Sequence, residues 1–451
     1  MSAALPSVAE ARRIVGLAVP LSMVQLAQVA MSTTDMVMLG WFGEEALAAG
    51  ALGFLAFNLL RTMGFGLIVG TSNLVAADAG TEVRGAHFVA ALVVATVSAA
   101  LAVAVMTLGS GALAMLGQDA GVVEVAARYL AYAAPGMLPL FWFYAYRGVA
   151  VGRRKARGLL AITIGAAALN AALDYGLLYG AWGLPRLGLP GVAAASSLVY
   201  LAQFVAIALA THASVAFDTF RPAAAEFAAS LWRLLKIGVP TAASYGSEAG
   251  FTYAVTLMVG TFGAAALAAH AVVAQICYVV FMLSVGLSHA TSVGVSEAAG
   301  RRDAGRALRA GRTGFAIGAT IMAAFSLAYL AAPAAILAPF SVGPATSPEV
   351  FAVAATLLPV AAAFQIFDCL QNVAIGALRG VDRAGTGFWV TIGSYWLVGA
   401  PAAWAIGAGF GAGPAGVWVG LAIGLVAAAL GMIAVFEAGA RRLGAPQAAA
   451  P

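Results

Sequence analysis

The sequence predicts an all-α integral membrane protein: twelve transmembrane helices in two six-helix lobes, related by a pseudo-two-fold axis along the membrane normal. Three observations carry this prediction. Of 451 residues, 63% are hydrophobic and 9% charged, against roughly 45–50% and about 25% in an ordinary soluble domain. Apolar runs recur along the whole length, with a mean hydropathy of +0.96. The second half of the chain also repeats the first. A water-soluble globule is excluded, and no stretch remains for a large soluble domain.

A bilayer core of ~30 Å needs about 20 apolar residues per helix. Segments of that kind fall at 14–41, 46–77, 87–117, 123–146, 158–181, 190–211, 233–262, 266–298, 313–340, 350–376, 385–408 and 413–437. They are separated by short Gly, Pro or charged clusters. The opening residues MSAALPSVAEARRIV lack a short apolar stretch followed by a cleavage site, so the first run reads as a span. An even number of spans puts both termini on one side.

Lys and Arg set the orientation, because cytoplasmic loops retain positive charge. With the N-terminus inside, the cytoplasmic segments hold 20 of the 23 basic residues, among them Arg12, Arg13, Arg147, Arg153, Arg154, Arg301, Arg302, Arg379 and Arg383. Arg186 alone falls in an outer loop, while Arg61 and Arg128 lie in or near spans. The net charge of +5 is therefore topological, and no nucleic-acid partner is needed. The expected location is the bacterial cytoplasmic (inner) membrane, with both termini cytoplasmic.

Sliding the sequence by 220 positions aligns residues 13–80 with 233–300 without a gap, giving 19 identities in 68 pairs. VMLGWFGEEALAAGA (37–51) falls over LMVGTFGAAALAAHA (257–271), Pro20 over Pro240, Gly66 over Gly286, and Thr71-Ser72 over Thr291-Ser292. Alanine bias does not put glycine, proline and threonine in register. The offset spans an even number of helices, so the halves enter the membrane in the same sense, and a cavity between two lobes is expected. The expected division is 1–211 for the N-terminal lobe, 212–232 for a cytoplasmic linker carrying a short amphipathic surface helix, and 233–451 for the C-terminal lobe. The tail LGAPQAAAP (443–451) is expected to be disordered.

A carboxylate at mid-bilayer costs about 2.5–3.5 kcal/mol on insertion scales, so each one kept there is a functional candidate. This chain keeps four: Asp35 in the first span, Asp174 in the fifth, Glu248 in the seventh and Asp368 in the tenth. Arg61 is read as the single intramembrane cation, available to pair with an acid of its own lobe or to snorkel; Phe281, its mate in the repeat, shows that the fold does not require it. Helical spacing groups the acids with other polar residues. Gln25, Gln28, Ser32 and Asp35 form one stripe, and Ser244, Glu248 and Thr252 a second, with Tyr245 and Ser247 alongside. Gln365, Asp368 and Asn372 make a third, and Asn170 and Asp174 stand one turn apart. Polar side chains in a membrane also bridge helices, and for a lone Asn or Gln that reading weighs equally. Four acids distributed two per lobe favour a solvated cavity.

Other chemistries find no support. Cys277 and Cys369 fall in apolar stretches and read as packing residues. His270 and His289 share a span without ligand spacing and read as helix-bridging groups. Lys155 and Lys236, the two lysines, sit in no phosphate-binding loop. An enzyme is not expected, nor is any cofactor beyond a coupling ion.

PLSMVQLAQVAMSTTDMVMLG in the first span, LNAALDYGLLYG in the fifth and GVPTAASYGSE in the seventh resemble the multidrug and toxic compound extrusion (MATE) family over nearly the whole chain. The resemblance implies a secondary active antiporter that exports organic cations, often amphipathic and aromatic, in exchange for Na+ or H+. It implies coupling roles for Asp35, Asn170, Asp174, Glu248 and Asp368. Glu248 and Asp368 resemble the C-terminal-lobe cation site of the NorM-like branch, whereas an aspartate at position 174 resembles the DinF-like branch. Gln28, Ser32, Ser244, Tyr245, Phe364, Gln365 and Asn372 are candidate cavity residues. Tyr245, Phe364 and Phe367 offer ring faces to a cation, with packing as an equal alternative. Pro20 and Pro240 interrupt the helical hydrogen-bond ladder at equivalent places and permit bending. A monomer in the lipid bilayer is expected. The rival is a lipid-linked precursor flippase of the same superfamily, which would favour cations in its cavity to meet pyrophosphate.

Overall fold

The computed structural model describes residues 5–42, 44–78, 80, 82–108, 120–340 and 348–443. The end of the third expected span (109–117), most side chains of the repeat block 37–51, and the tail from 444 lie outside the described residues. Elsewhere helix follows helix. The chain runs through α1 (Val8–Phe42), α2 (Glu44–Ile68), α3 (Gly70–Ala77), α4 (Gly85–Leu108), α5 (Ala120–Ala133), α6 (Met137–Gly152), α7 (Ala156–Tyr179), α8 (Leu189–Ser214), α9 (Ala224–Gly260) and α10 (Ala264–Gly300). It continues through α11 (Ala304–Ala331), α12 (Pro333–Leu337), α13 (Pro348–Gly380), α14 (Ala384–Ile392), α15 (Ala400–Trp404) and α16 (Gly413–Arg442). Each of the twelve expected segments is helical over most of its described residues. Among the described residues, nine helices are long and apolar enough to cross a membrane, and only 28–44% of each spanning window is buried inside the protein. The remaining apolar surface, such as Leu101, Leu209 and Leu397, needs a lipid solvent.

Three expected spans fall outside those nine, for local reasons. Residues 123–146 divide at Pro135 into α5, one 3-10 turn and α6, because proline cannot donate the next helical hydrogen bond. In 385–408, the turns Gly393–Gly399 and Ala405–Gly409 are π-helical, flanking α15 with Pro401 near its start. The wider turn accommodates a residue that would clash in a regular ladder. The seventh span lies within α9, where Ser244, Tyr245, Ser247, Glu248, Thr252 and Tyr253 lower its hydropathy. The expected separate surface helix in 212–232 is instead the first turns of α9, since nothing between Ala224 and Pro240 stops a helix. The residues before it are extended and pinned to the start of α4. Val83 donates to the Ala216 carbonyl at 2.9 Å, and Asp218 Oδ1 accepts from the Gly85 N–H at 2.6 Å.

The chain divides into two compact units, 1–22 with 244–451 and 23–243. The division passes inside α1 and α9, after the second residue beyond Pro20 and the third beyond Pro240. The units therefore differ from the expected lobes in exchanging the first halves of these two helices. In the 23–243 unit, α8 packs on α7 and α6, and α6 on α3 and α4. In the other unit α13 is central, packed on α10, α11 and α16. One close approach there depends on the absence of a side chain: a Cβ on Gly420 would strike the backbone of Ala403.

Three basic turns, after α6, α10 and α13, close in the same way. Lys155, Asp303 and Arg383 donate N–H groups five residues back to Ala150, Ala298 and Leu378, at 2.7, 2.9 and 2.9 Å. The residue before each, Arg154, Arg302 or Asp382, is left-handed with φ of 55–60°. This is the Schellman closure, here without its usual glycine.

Candidate functional site

Each unit builds its own acidic cluster. In the 23–243 unit, the stripe on α1 ends in Asp35, 5% exposed. Asn170 and Asp174, one turn apart on α7, are fully buried and lie against its carboxylate. Ser196 of α8 donates to Asp35 Oδ2 across 3.5 Å. Both Asp174 oxygens, Asp35 Oδ1 and both amide atoms of Asn170 lack a hydrogen-bond partner among the described residues. Arg61 donates to Asn58 Oδ1 at 2.6 Å, and its charge reaches Asp35.

A pocket opens beside Asp35, lined by Phe54, Phe57, Tyr129, Ser196, Ser197 and Tyr200. Phe57 and Tyr200 stack with ring centroids 6.0 Å apart and planes 6° apart. The space suits a water-sized guest. Oxygen donors around a void of that size match what a hard cation takes: carboxylate, amide and hydroxyl oxygens. The sequence reading missed Ser196 and Tyr200, although Ser196, Tyr200 and Gln203 lie at steps of four and three on α8 and all are buried.

In the other unit, Asp368 on α13 is 7% exposed and lies within electrostatic reach of Glu248 on α9, which is half-buried. Tyr395, 1% exposed and set in the first π-turn, lies within electrostatic range of both acids and stacks on Phe251 at 4.9 Å. Gln365, one turn before Asp368, is fully buried with both amide atoms unpartnered among the described residues. Asn372, one turn after, is 8% exposed. The acids are not repeat-equivalent: the 220-residue shift puts Glu248 over Gln28 and Asp35 over Val255.

The remaining candidates are less concentrated. Ser32 turns back to the Val29 carbonyl at 3.0 Å; Gln28 is half-buried, and Ser244 is buried. The ring of Phe364 is engaged edge-on by Trp418 at 5.5 Å. The Tyr245 hydroxyl accepts from Arg379 Nη1 at 3.1 Å. Pro20 and Pro240 both lie inside continuous helices. His270 bridges helices as read: Trp418 Nε1 donates to its Nδ1 at 3.1 Å, and its Nε2 lies 3.1 Å from Thr256 Oγ1.

One expectation is corrected. Arg147 and Arg379, counted as cytoplasmic charges, are 4% and 2% exposed, inside α6 and α13. Arg61 is therefore not the single internal cation. The helices run farther than the apolar runs and carry both guanidinium groups into the protein.

A family model described as MatE matches residues 20–176 and 240–405, two blocks that start at the repeat-equivalent prolines. The chain is 38% identical to a probable multidrug resistance protein NorM from Pseudomonas aeruginosa, covering 96% of this chain and 90% of that protein. It is 36% identical to a protein of the same name from Bradyrhizobium diazoefficiens, covering 95% and 93%. Among solved structures, a MOP superfamily transporter from Pyrococcus furiosus superposes with a TM-score of 0.86 at 20% identity, covering 97% of each chain. The eukaryotic MATE transporter AtDTX14 gives 0.81 at 19% identity, covering 97% and 98%. At those identities the solved structures speak to the fold alone.

Proposed function

We propose, from the premise that the chain belongs to the MatE family and is a multi-pass membrane multidrug efflux transporter rather than an enzyme, that it is a secondary antiporter. It exports amphipathic organic cations in exchange for inward Na+ or H+. It acts as a monomer in the bacterial inner membrane, with both termini cytoplasmic and no nucleic-acid partner. The observation that carries this reading is the buried pair Asp35–Asp174, with Asn170 and Ser196 around it and both Asp174 oxygens lacking a donor among the described residues. Like charges brought together out of water favour uptake of a proton or a cation.

An ion arriving from outside occupies the carboxylates and cancels the charge that holds an organic cation, which then leaves outward. Each monovalent charge moving down the potential delivers ~2.3 kcal/mol per 100 mV, and a tenfold gradient of exported substrate needs ~1.4 kcal/mol. An exported monovalent cation carries the same charge outward against that potential, so in a one-for-one exchange the electrical work cancels and a tenfold concentration gradient of the driving ion, worth ~1.4 kcal/mol, supplies the export. In this reading Glu248 and Asp368 act in the same way in their own unit. The flippase alternative needs cations free to meet pyrophosphate, whereas Arg147 and Arg379 are buried against Gln25 and Tyr245.

The test is reconstitution into liposomes with a sodium gradient and a pH gradient imposed separately. Export of ethidium driven by either gradient supports the antiporter. Export indifferent to both overturns it.

A further inference from the structure

Arg147 and Arg379 share a sequence context and a contact. Arg147-Gly148-Val149 recurs as Arg379-Gly380-Val381, each in the final turns of the fourth spanning segment of its half. Arg147 Nη2 donates to Gln25 Oε1 at 3.0 Å, with its guanidinium carbon 5.2 Å from the Phe65 ring centroid. Arg379 Nη1 donates to the Tyr245 hydroxyl at 3.1 Å. Gln25 and Tyr245 are themselves aligned by the 220-residue shift. A buried guanidinium thus touches the same position of the crossing helix in both halves, although one acceptor is an amide and the other a phenol. Arg379 Nε and Nη2 have no hydrogen-bond partner among the described residues.

Each arginine stands at one end of a polar stripe that has carboxylates at the other. On α13, Gln365, Asp368, Asn372 and Arg379 follow at steps of three, four and seven. At 1.5 Å and 100° per residue, Asp368 and Arg379 are about 16 Å apart along the axis and about 20° apart around it. On α1, Gln25, held by Arg147, is about 15 Å from Asp35 by the same rise. With the N-terminus inside, the first and seventh spans run outward and the fourth and tenth inward. The acids then lie on the outer side and the guanidinium groups on the cytoplasmic side in both units. Arginine keeps its proton at any physiological pH, so each guanidinium is a fixed positive charge on the cytoplasmic side of its unit's carboxylates.

We propose that Arg147 and Arg379 are electrostatic barriers to cation leak. Each one repels a sodium ion or proton held at its unit's carboxylates and stops it passing inward without exchange. A fixed arginine in a narrow polar route excludes cations by the same physics elsewhere. Inward release then waits for the arginine to part from Gln25 or Tyr245, which ties ion passage to the conformational step. The inference rests on the antiporter reading.

The experiment uses full-length protein in liposomes under an inside-negative potassium diffusion potential, with sodium and proton entry measured in the absence of organic cation. Arg379→Gln is expected to raise entry of the coupling ion at least tenfold, a barrier loss of ~1.4 kcal/mol. Arg379→Lys, which keeps a charge, is expected to stay near wild type. Residual tetraphenylphosphonium export by Arg379→Gln reports that it is folded, and Arg147→Gln repeats the measurement in the other unit. Unchanged leak in both Gln variants, alongside ion-dependent export by the wild type, overturns the barrier. Equal leak in the Gln and Lys variants also overturns it, because packing rather than charge is then responsible. Absence of ion-dependent export by the wild type is a separate result: it removes the antiporter reading, and the barrier with it.

Discussion

Asp174 stands against Asp35 inside the 23–243 unit, fully buried, and neither of its oxygens meets a hydrogen-bond donor among the described residues. Removing one charge of such a pair relieves repulsion and desolvation together. Asp174→Asn is therefore expected to raise the thermal unfolding midpoint in detergent while lowering gradient-driven ethidium export at least tenfold. A lower midpoint with normal export would show that the pair is structural.

Asp368→Asn removes the more buried acid of the other unit and is expected to abolish ion-driven ethidium efflux while the protein still reaches the membrane. Wild-type efflux in that variant would take Asp368 out of the coupling machinery. Comparing Asp174→Asn with Asp368→Asn under separate sodium and pH gradients assigns the driving ion to one unit or to both.

The His270–Trp418 contact predicts a stability effect without a coupling effect. Indole nitrogen only donates, so His270 Nδ1 accepts and its proton lies on Nε2, toward Thr256. Trp418→Phe leaves a buried acceptor unpaired at a cost of about 1–3 kcal/mol. A lowered thermal midpoint with an unchanged ion dependence of export is expected. A changed ion dependence would place His270 on the ion route.

Close helix packing gives a further contrast. Gly420→Ala drives a methyl into the backbone of Ala403, which cannot yield as a flexible side chain would, and overpacking of this kind costs about 1–3 kcal/mol. Gly16→Ala meets nothing within 4 Å and serves as the control. Thermal midpoints should fall for the first substitution and hold for the second. Equal midpoints would contradict the close approach.

The twelve helical segments were legible in the sequence because a bilayer imposes both length and apolarity on a span, and few other arrangements satisfy the backbone there. The stripes on α1 and α7 were legible for a related reason: Asp35, Asn170 and Asp174 interrupt otherwise apolar faces. Ser196 and Tyr200 carry the same periodicity, but serine and tyrosine are common enough in spans that the stripe on α8 drew no attention. Arg147 and Arg379 were misplaced because counting basic residues assigns every arginine near the end of an apolar run to a loop. A helix that continues past its apolar run buries that arginine instead. The passage of the chain between units inside α1 and α9 has no compositional mark beyond Pro20 and Pro240, since long-range packing decides it. The π-turns around Tyr395 depend on how Pro401 is accommodated, which a hydropathy pattern does not record.

The central claim is that buried carboxylates hold either an inorganic cation or an organic one. It is tested most directly by competition at equilibrium, with radiolabelled tetraphenylphosphonium bound to the purified protein and then titrated with sodium chloride at fixed ionic strength or with acid. The account predicts displacement by one of these titrants, and loss of that displacement in the double variant Asp35→Asn/Asp368→Asn. Bound tetraphenylphosphonium that ignores both sodium and pH in the wild type would contradict it.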